Sequence, residues 1–334
     1  MTDITHYSLL HHNTFGIDAR CARFVEYHDE AEALQVARQL RPAATPYIII
    51  GGGSNLLLTG DYDGTVVHSV ICGIELVDSN HIRCGSGETW DDVVAWCVNH
   101  HFYGAENLSL IPGEVGASAV QNIGAYGVEV KDLVSSVEAV EIATGRQVTF
   151  TNEECQYGYR DSRFKHEWKN RYLITHVVYE LQTEFQPKLD YGNIRAALEK
   201  KDIHHLTAQL LRETIIDIRR EKLPDPEVTG NAGSFFMNPV VPREKFEQLL
   251  ALYPQMPHYV IDADHVKIPA GWMIEQCGWK GKSLGRAGVH DRQALVLVNR
   301  GGATGQEIVT LCETIRHDVF QKFGINIHPE VNII

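Results

Sequence analysis

The sequence lacks the features that would direct it to a membrane, an oxidising compartment or a nucleic acid. No apolar run approaches the roughly 20 residues of a bilayer span. The opening "MTDITHYSLLHHNTFG" has neither the basic nor the apolar part of a secretory leader. The expectation is a soluble, cytoplasmic chain with no membrane partner. Seven cysteines (Cys21, Cys72, Cys84, Cys97, Cys155, Cys277, Cys312) form an odd set without a CxxC pair, which argues against a disulfide framework and for free thiols. Basic residues are few: 30 Lys and Arg against 43 Asp and Glu leave a charge of -13, which repels a phosphate backbone and speaks against a nucleic-acid partner. HExxH is absent, and His11–His12 and His204–His205 are adjacent pairs, so no metal site is expected among the 17 histidines.

What is present is ordinary for a globular protein, with 44% apolar and 22% charged residues. At 334 residues the chain exceeds what one core usually serves, so two or three domains are expected. "DEAEALQVARQL" (Asp29 to Leu40) has apolar residues at helical spacing, and "YIIIGGGSNLLL" (Tyr47 to Leu58) reads as a buried strand breaking into glycines. From Gly64 to Glu180 short strands and turns alternate, interrupted by a helix at "WDDVVAWCVNH". That mixture is α+β. Residues 185 to 229 form a polar, helix-leaning insertion ending in "KLPDP", a connector into a further unit. The last long helix, Thr304 to Phe323, opens on a capping box of Thr304 and Glu307; the tail "INIHPEVNII" is strand-like and should return to an existing sheet.

Several stretches have chemical potential. "GGGSN" (Gly51 to Asn55) follows a strand, so its amides suit an anion, or it is simply a tight turn. "AENLSLIPGEVGASAVQNIGAYG" (Ala105 to Gly127) is a long run of small residues over which a backbone can approach a bulky ligand or a second element. It does not match GxGxxG, which disfavours a Rossmann fold, and "GWKGKS" lacks the first glycine of a phosphate loop. "YGYRDSRFK" offers Arg160 for a carboxylate or else a solvated charged turn. Lys222 in "RREKLPDP" suits a phosphate or is plain surface. Glu330, among apolar neighbours, is the outward face of a strand or a placed acid. Ser234 in "NAGSFFMNP" is either a scaffold hydroxyl or a reacting group.

These stretches, with "KIPAGWMIEQCGWKG" and "HPEVNII", occur in one order from end to end of the chain, and together they resemble the UDP-N-acetylenolpyruvoylglucosamine reductase family. The "LDYGNIRAAL" inside the insertion looks like the longer form of that family, in which a tyrosine, here Tyr191, closes over the substrate. The resemblance implies a FAD-binding fold of the vanillyl-alcohol-oxidase type, built of two α+β subdomains (1–70, and 71–222 with 324–334), plus a substrate-binding domain over 223–323. FAD would be held without a covalent bond by Gly51, Gly52, Gly53, Ser54, Asn55 and Leu56, by Ser118, Gln121, Asn122, Ile123 and Gly124, and by Arg219. A hydride would pass from NADPH by way of FAD to the enolpyruvyl ether of a UDP-sugar. Arg160 and Glu330 would stabilise the charge that develops, and Ser234 would supply the proton. Tyr191, Lys222, Asn238 and Gln293 would hold the UDP-sugar substrate or the phosphates of NADPH. A monomer is expected. Two rival readings are another FAD oxidoreductase acting on an alcohol or sugar, which would not need Ser234, Arg160 and Glu330 together, and a flavin- or nucleotide-binding module without turnover.

Overall fold

The computed structural model describes residues 1–41, 45–203 and 205–334; His204 of the second histidine pair lies outside them. The chain divides into two compact units, one of 1–7, 21–52 and 62–221, the other of 8–20, 53–61 and 222–334.

The first unit is built on two larger sheets. In the smaller, the strands Arg20–Tyr27 and Tyr47–Ile50 flank Tyr62–Ser69 in parallel. The helix Glu30–Leu40 covers it, capped by the Asp29 carboxylate, which accepts from the Glu32 amide at 2.8 Å. Its buried Ala33, Val36, Ala37 and Leu40 pack on Val25, Tyr27 and Val67, and also on Val140, Ile142 and Leu173 of the larger sheet. This shared core explains why the division expected near residue 70 does not separate two units: helix Glu30–Leu40 has apolar partners on both sheets. The larger sheet is antiparallel, in the order Gln147–Thr151, Val134–Glu141, Tyr172–Glu180, His81–Gly85, Ile74–Leu76. Helices Trp90–Asn99 and Val115–Gln121 contribute Trp90, Val93, Val94, Val115 and Ala119 to its core. The insertion is structured: helices Ile194–Lys200 and Ala208–Lys222 bury Ile194, Leu198, Leu211, Ile215 and Ile218 in a cluster to which Tyr126, Phe185 and Leu189 add.

In the second unit a four-stranded sheet runs Asn231–Ser234, Val296–Asn299, Ala287–Val289, Ser283–Leu284. The helix Gly305–Phe323 forms where expected, with the reciprocal Thr304–Glu307 capping box at its start and Gly324 at φ +63° closing its end. The tail differs from expectation. Asn332–Ile333 pairs in parallel with Leu56–Leu57, while Met237 and Glu330 donate their amides to His328 and Phe235 carbonyls at 2.9 and 2.8 Å. Residues 324–334 therefore belong with 222–323 and not with 71–222. Ile325, Ile327 and Val331 are buried.

Candidate active site

In the first unit the chain leaves the strand Tyr47–Ile50 through Gly51 and Gly52 and rests directly on the start of helix Val115–Gln121. A Cβ on Gly51 would stand 3.0 Å from the Ala117 Cβ, and one on Gly52 would stand 3.2 Å from a Glu114 carboxylate oxygen. The two glycine-rich stretches are thus brought together, and the absence of Cβ atoms is what permits it. The Glu114 carboxylate lies 3.0 Å from His68 Nε2, whose Nδ1 lies 3.1 Å from Glu26. Burial opposes charge on the His68 imidazole, but Glu114 and Glu26 outweigh it and raise its pKa. Sequence reading passed over this pair; 46 residues separate its members, and no local pattern marks it.

The remaining candidates of this unit lie along the second glycine-rich stretch. Ser118 is fully buried, its hydroxyl donating to the Val115 carbonyl at 2.7 Å and meeting the Tyr179 hydroxyl at 3.0 Å. Asn122, at φ +44°, donates through Nδ2 to Glu129 and Gly158 and accepts the Lys131 amide. These two side chains serve the protein, so any ligand contact at Ser118 and Asn122 falls to their backbone. Gln121 and Ile123 are half-buried, and Ile123 also packs on the core. Arg160, at φ +55°, donates through Nη2 to the Gly124 carbonyl at 2.5 Å and through Nη1 to the Asn122 carbonyl at 3.4 Å. Gly124 has no room for a side chain beside it: a Cβ there would be 2.8 Å from Arg160 Nη1. Arg219 donates from Nε to the Leu110 carbonyl at 3.2 Å. Burial lowers its pKa, Tyr126 and Asp91 oppose that, and Arg160 adds to it. Arg160 and Arg219 therefore place positive charge along this glycine surface, an environment suited to phosphate or carboxylate. Tyr191 is exposed and lies against Gly127, where a Cβ would come within 3.1 Å of its own.

A second acid cluster of this unit, Glu30, Glu138 and His176, converges as a metal site would. Arg83 Nη2 stands among them at 2.7, 2.7 and 2.9 Å, so a guanidinium already supplies the positive charge.

In the second unit Gly53, at φ +69°, runs so close to the His12 carbonyl that a Cβ would be 2.0 Å from its oxygen. Ser54 and Asn55 are half-buried and Leu56 is buried. Asn55 Nδ2 donates to the Glu330 carbonyl at 3.3 Å, and the Asn332 amide donates back to the Asn55 carbonyl. Ser234 ends its strand at an exposed position beside Gly233, at φ +68°, while Phe235 and Phe236 are fully buried. An isolated bridge pairs Phe236 with Pro329, and the Glu330 amide donates to the Phe235 carbonyl at 2.8 Å, so the backbone of Glu330 runs beside the residue that follows Ser234. Asn238 accepts the Ala270 amide at 2.9 Å, and Gln293 Oε1 accepts the Leu295 amide at 3.3 Å and faces Gly271. Both thus meet the first turn of helix Ala270–Gln276. Lys222 is exposed at the end of helix Ala208–Lys222.

The family model described as "UDP-N-acetylenolpyruvoylglucosamine reductase, C-terminal domain" matches residues 225–334, and that described as "FAD binding domain" matches 21–151. The UDP-N-acetylenolpyruvoylglucosamine reductase of Bacteroides fragilis strain YCH46 is 58% identical over 332 residues, 98% of this chain and 99% of that one. The reductase of the same name from Flavobacterium johnsoniae is 45% identical over 336 residues, 99% of each chain. Among solved structures, the UDP-N-acetylenolpyruvylglucosamine reductase of Thermus caldophilus superposes with a TM-score of 0.69 at 20% identity, covering 99% of this chain and 98% of its own, and thus has the same fold.

Proposed function

The chain belongs to the UDP-N-acetylenolpyruvoylglucosamine reductase family, and from that premise we infer that it is an FAD-dependent oxidoreductase that reduces the enolpyruvyl ether of UDP-N-acetylglucosamine, with NADPH as the hydride source, and so serves peptidoglycan precursor synthesis. FAD, when bound, carries the hydride between the nicotinamide and the double bond. The residues present fit that cofactor in one respect: the half-buried Arg219 bonds to the Leu110 carbonyl and so brings a cation to the small-residue stretch 105–127, an arrangement suited to a diphosphate.

The work left to the protein is charge and proton placement. Hydride addition to the terminal carbon pushes electron density onto the adjacent carboxylate, and a fixed guanidinium there is worth a few kcal/mol in a dry site, about what one oxyanion donor supplies. Arg160 takes this role. Its fork is held by the Asn122 and Gly124 carbonyls, and so is oriented before the substrate arrives. Ser234 donates a proton to the other carbon. An enolate is a strong base, so a hydroxyl at short range suffices. The observation that supports this assignment is the backbone bond from Glu330 to Phe235, the residue after Ser234, together with the burial of Phe235 and Phe236. Glu330 steadies the proton donor or the developing charge. Tyr191, Lys222, Asn238 and Gln293 take the UDP-sugar, and Gly51 to Leu56 with Ser118 to Gly124 and Arg219 take FAD.

The test follows NADPH oxidation anaerobically, with and without UDP-N-acetylglucosamine enolpyruvate, in the parent and in Ser234→Ala. Oxidation that requires the enolpyruvyl compound in the parent, with a variant still bleached by NADPH but no longer recoloured by the substrate, is the expected result. A yellow parent indifferent to that substrate would refute the reaction.

A further inference from the structure

One side chain outside this machinery ties the substrate loop to the glycine surface. Asn107 is 2% exposed, in the short turn Glu106–Leu108, and its single Nδ2 donates to two carbonyls, Tyr126 at 2.8 Å and Lys188 at 2.9 Å. These carbonyls lie in different segments. Tyr126 and Gly127, at φ +48° and +79°, form the two-residue turn between strands Gly124–Ala125 and Val128–Glu129. Lys188 opens the segment that reaches Tyr191. The Tyr191 Cβ sits just over Gly127, Tyr126 packs on the same helical core as Phe185 and Leu189, and Gly192 adjoins the Tyr126 ring. The Gly124 carbonyl of the same hairpin holds Arg160.

We propose that Asn107 is a positioning residue for substrate: by tying the Lys188 and Tyr126 carbonyls to one amide it seats Tyr191 on the hairpin that also orients Arg160. The proposal rests on the reading of Tyr191 as a substrate residue. A buried amide with two acceptors in two loops is a two-point tether, and its loss leaves both carbonyls without a buried partner. The loop then spends less time in the seated arrangement, and apparent affinity falls in proportion to the seated fraction.

The holoenzyme is assayed as Asn107→Asp, which keeps the shape and removes the donor, and as Asn107→Ala. KM for UDP-N-acetylglucosamine enolpyruvate is expected to rise roughly ten- to a hundredfold, the range two such hydrogen bonds give, while kcat and FAD retention stay near the parent's. Trypsin cuts after Lys188, at the carbonyl Asn107 holds, so cleavage there should quicken in both variants. In a Tyr191→Ala background the Asn107 substitution should add little to KM, because the tether acts through that tyrosine. Unchanged KM and unchanged cleavage in Asn107→Asp, or full additivity with Tyr191→Ala, would overturn the proposal. If the Asn107 variants do not accumulate, Gly127→Ala, in an exposed turn, crowds the same seat, and a parental KM there is equally fatal. A parent without substrate-dependent turnover refutes the reaction and not the tether, which the tryptic rate then decides.

Discussion

Gly124→Ala tests the role proposed for Arg160 by shifting its guanidinium without removing its charge. The added methyl carbon would lie 2.8 Å from Arg160 Nη1, 3.0 Å from Glu129 Cγ and 3.0 Å from the Val128 carbonyl oxygen. Gly124 does not have a positive φ, so alanine is tolerated by the backbone. The most compliant of the three neighbours is the end of the arginine side chain. Restoring an ordinary contact moves it by several tenths of an ångström to about 1 Å, and displacement on that scale costs on the order of a hundredfold in rate when the group must meet developing charge. The stability cost should stay near 1–2 kcal/mol, typical of a small overpacking. The assay follows the flavin colour in two halves, bleaching by NADPH and recolouring by the enolpyruvyl substrate. Bleaching should be unchanged, and recolouring should slow between about ten- and a hundredfold. A Gly124→Ala protein that recolours at the parental rate would refute the claim that Arg160 acts from where its fork is held.

Gly53→Ala meets a backbone oxygen at 2.0 Å and a left-handed φ together, with no side chain to give way. A loss of more than about 3 kcal/mol is expected, read as a lowered unfolding midpoint and poor FAD retention; parental values would show that this turn is not fixed. His68→Gln removes an imidazole whose pKa is raised in the fold, where Glu114 and Glu26 outweigh the burial that opposes its charge. A raised pKa contributes stability that is fully present below the ordinary value of about 6.5 and is lost as pH rises through the folded-state value. The parent's lead in melting temperature over the variant should therefore be widest in mild acid and shrink on the alkaline side, and a lead that widens with pH would contradict the ion pair.

The sequence by itself determined what depends on neighbours along the chain. The helix Gly305–Phe323 is legible because Thr304, Glu307 and Gly324 satisfy its ends locally, and Asp29 does the same for Glu30–Leu40. The family, and with it the candidate residues, was legible because the ordered stretches survive as strings of letters. The tertiary structure decided what depends on partners far apart. That helix Glu30–Leu40 joins two sheets in one core, that the tail pairs with Leu56–Leu57, and that Ser118 and Asn122 direct their side chains into the protein all follow from contacts no local pattern encodes. The same holds for His68 with Glu114 and for Asn107 between Tyr126 and Lys188. Local signals arise from hydrogen bonds closed within a turn of helix or a hairpin, whereas these pairings are selected only when burial of apolar surface brings distant segments together.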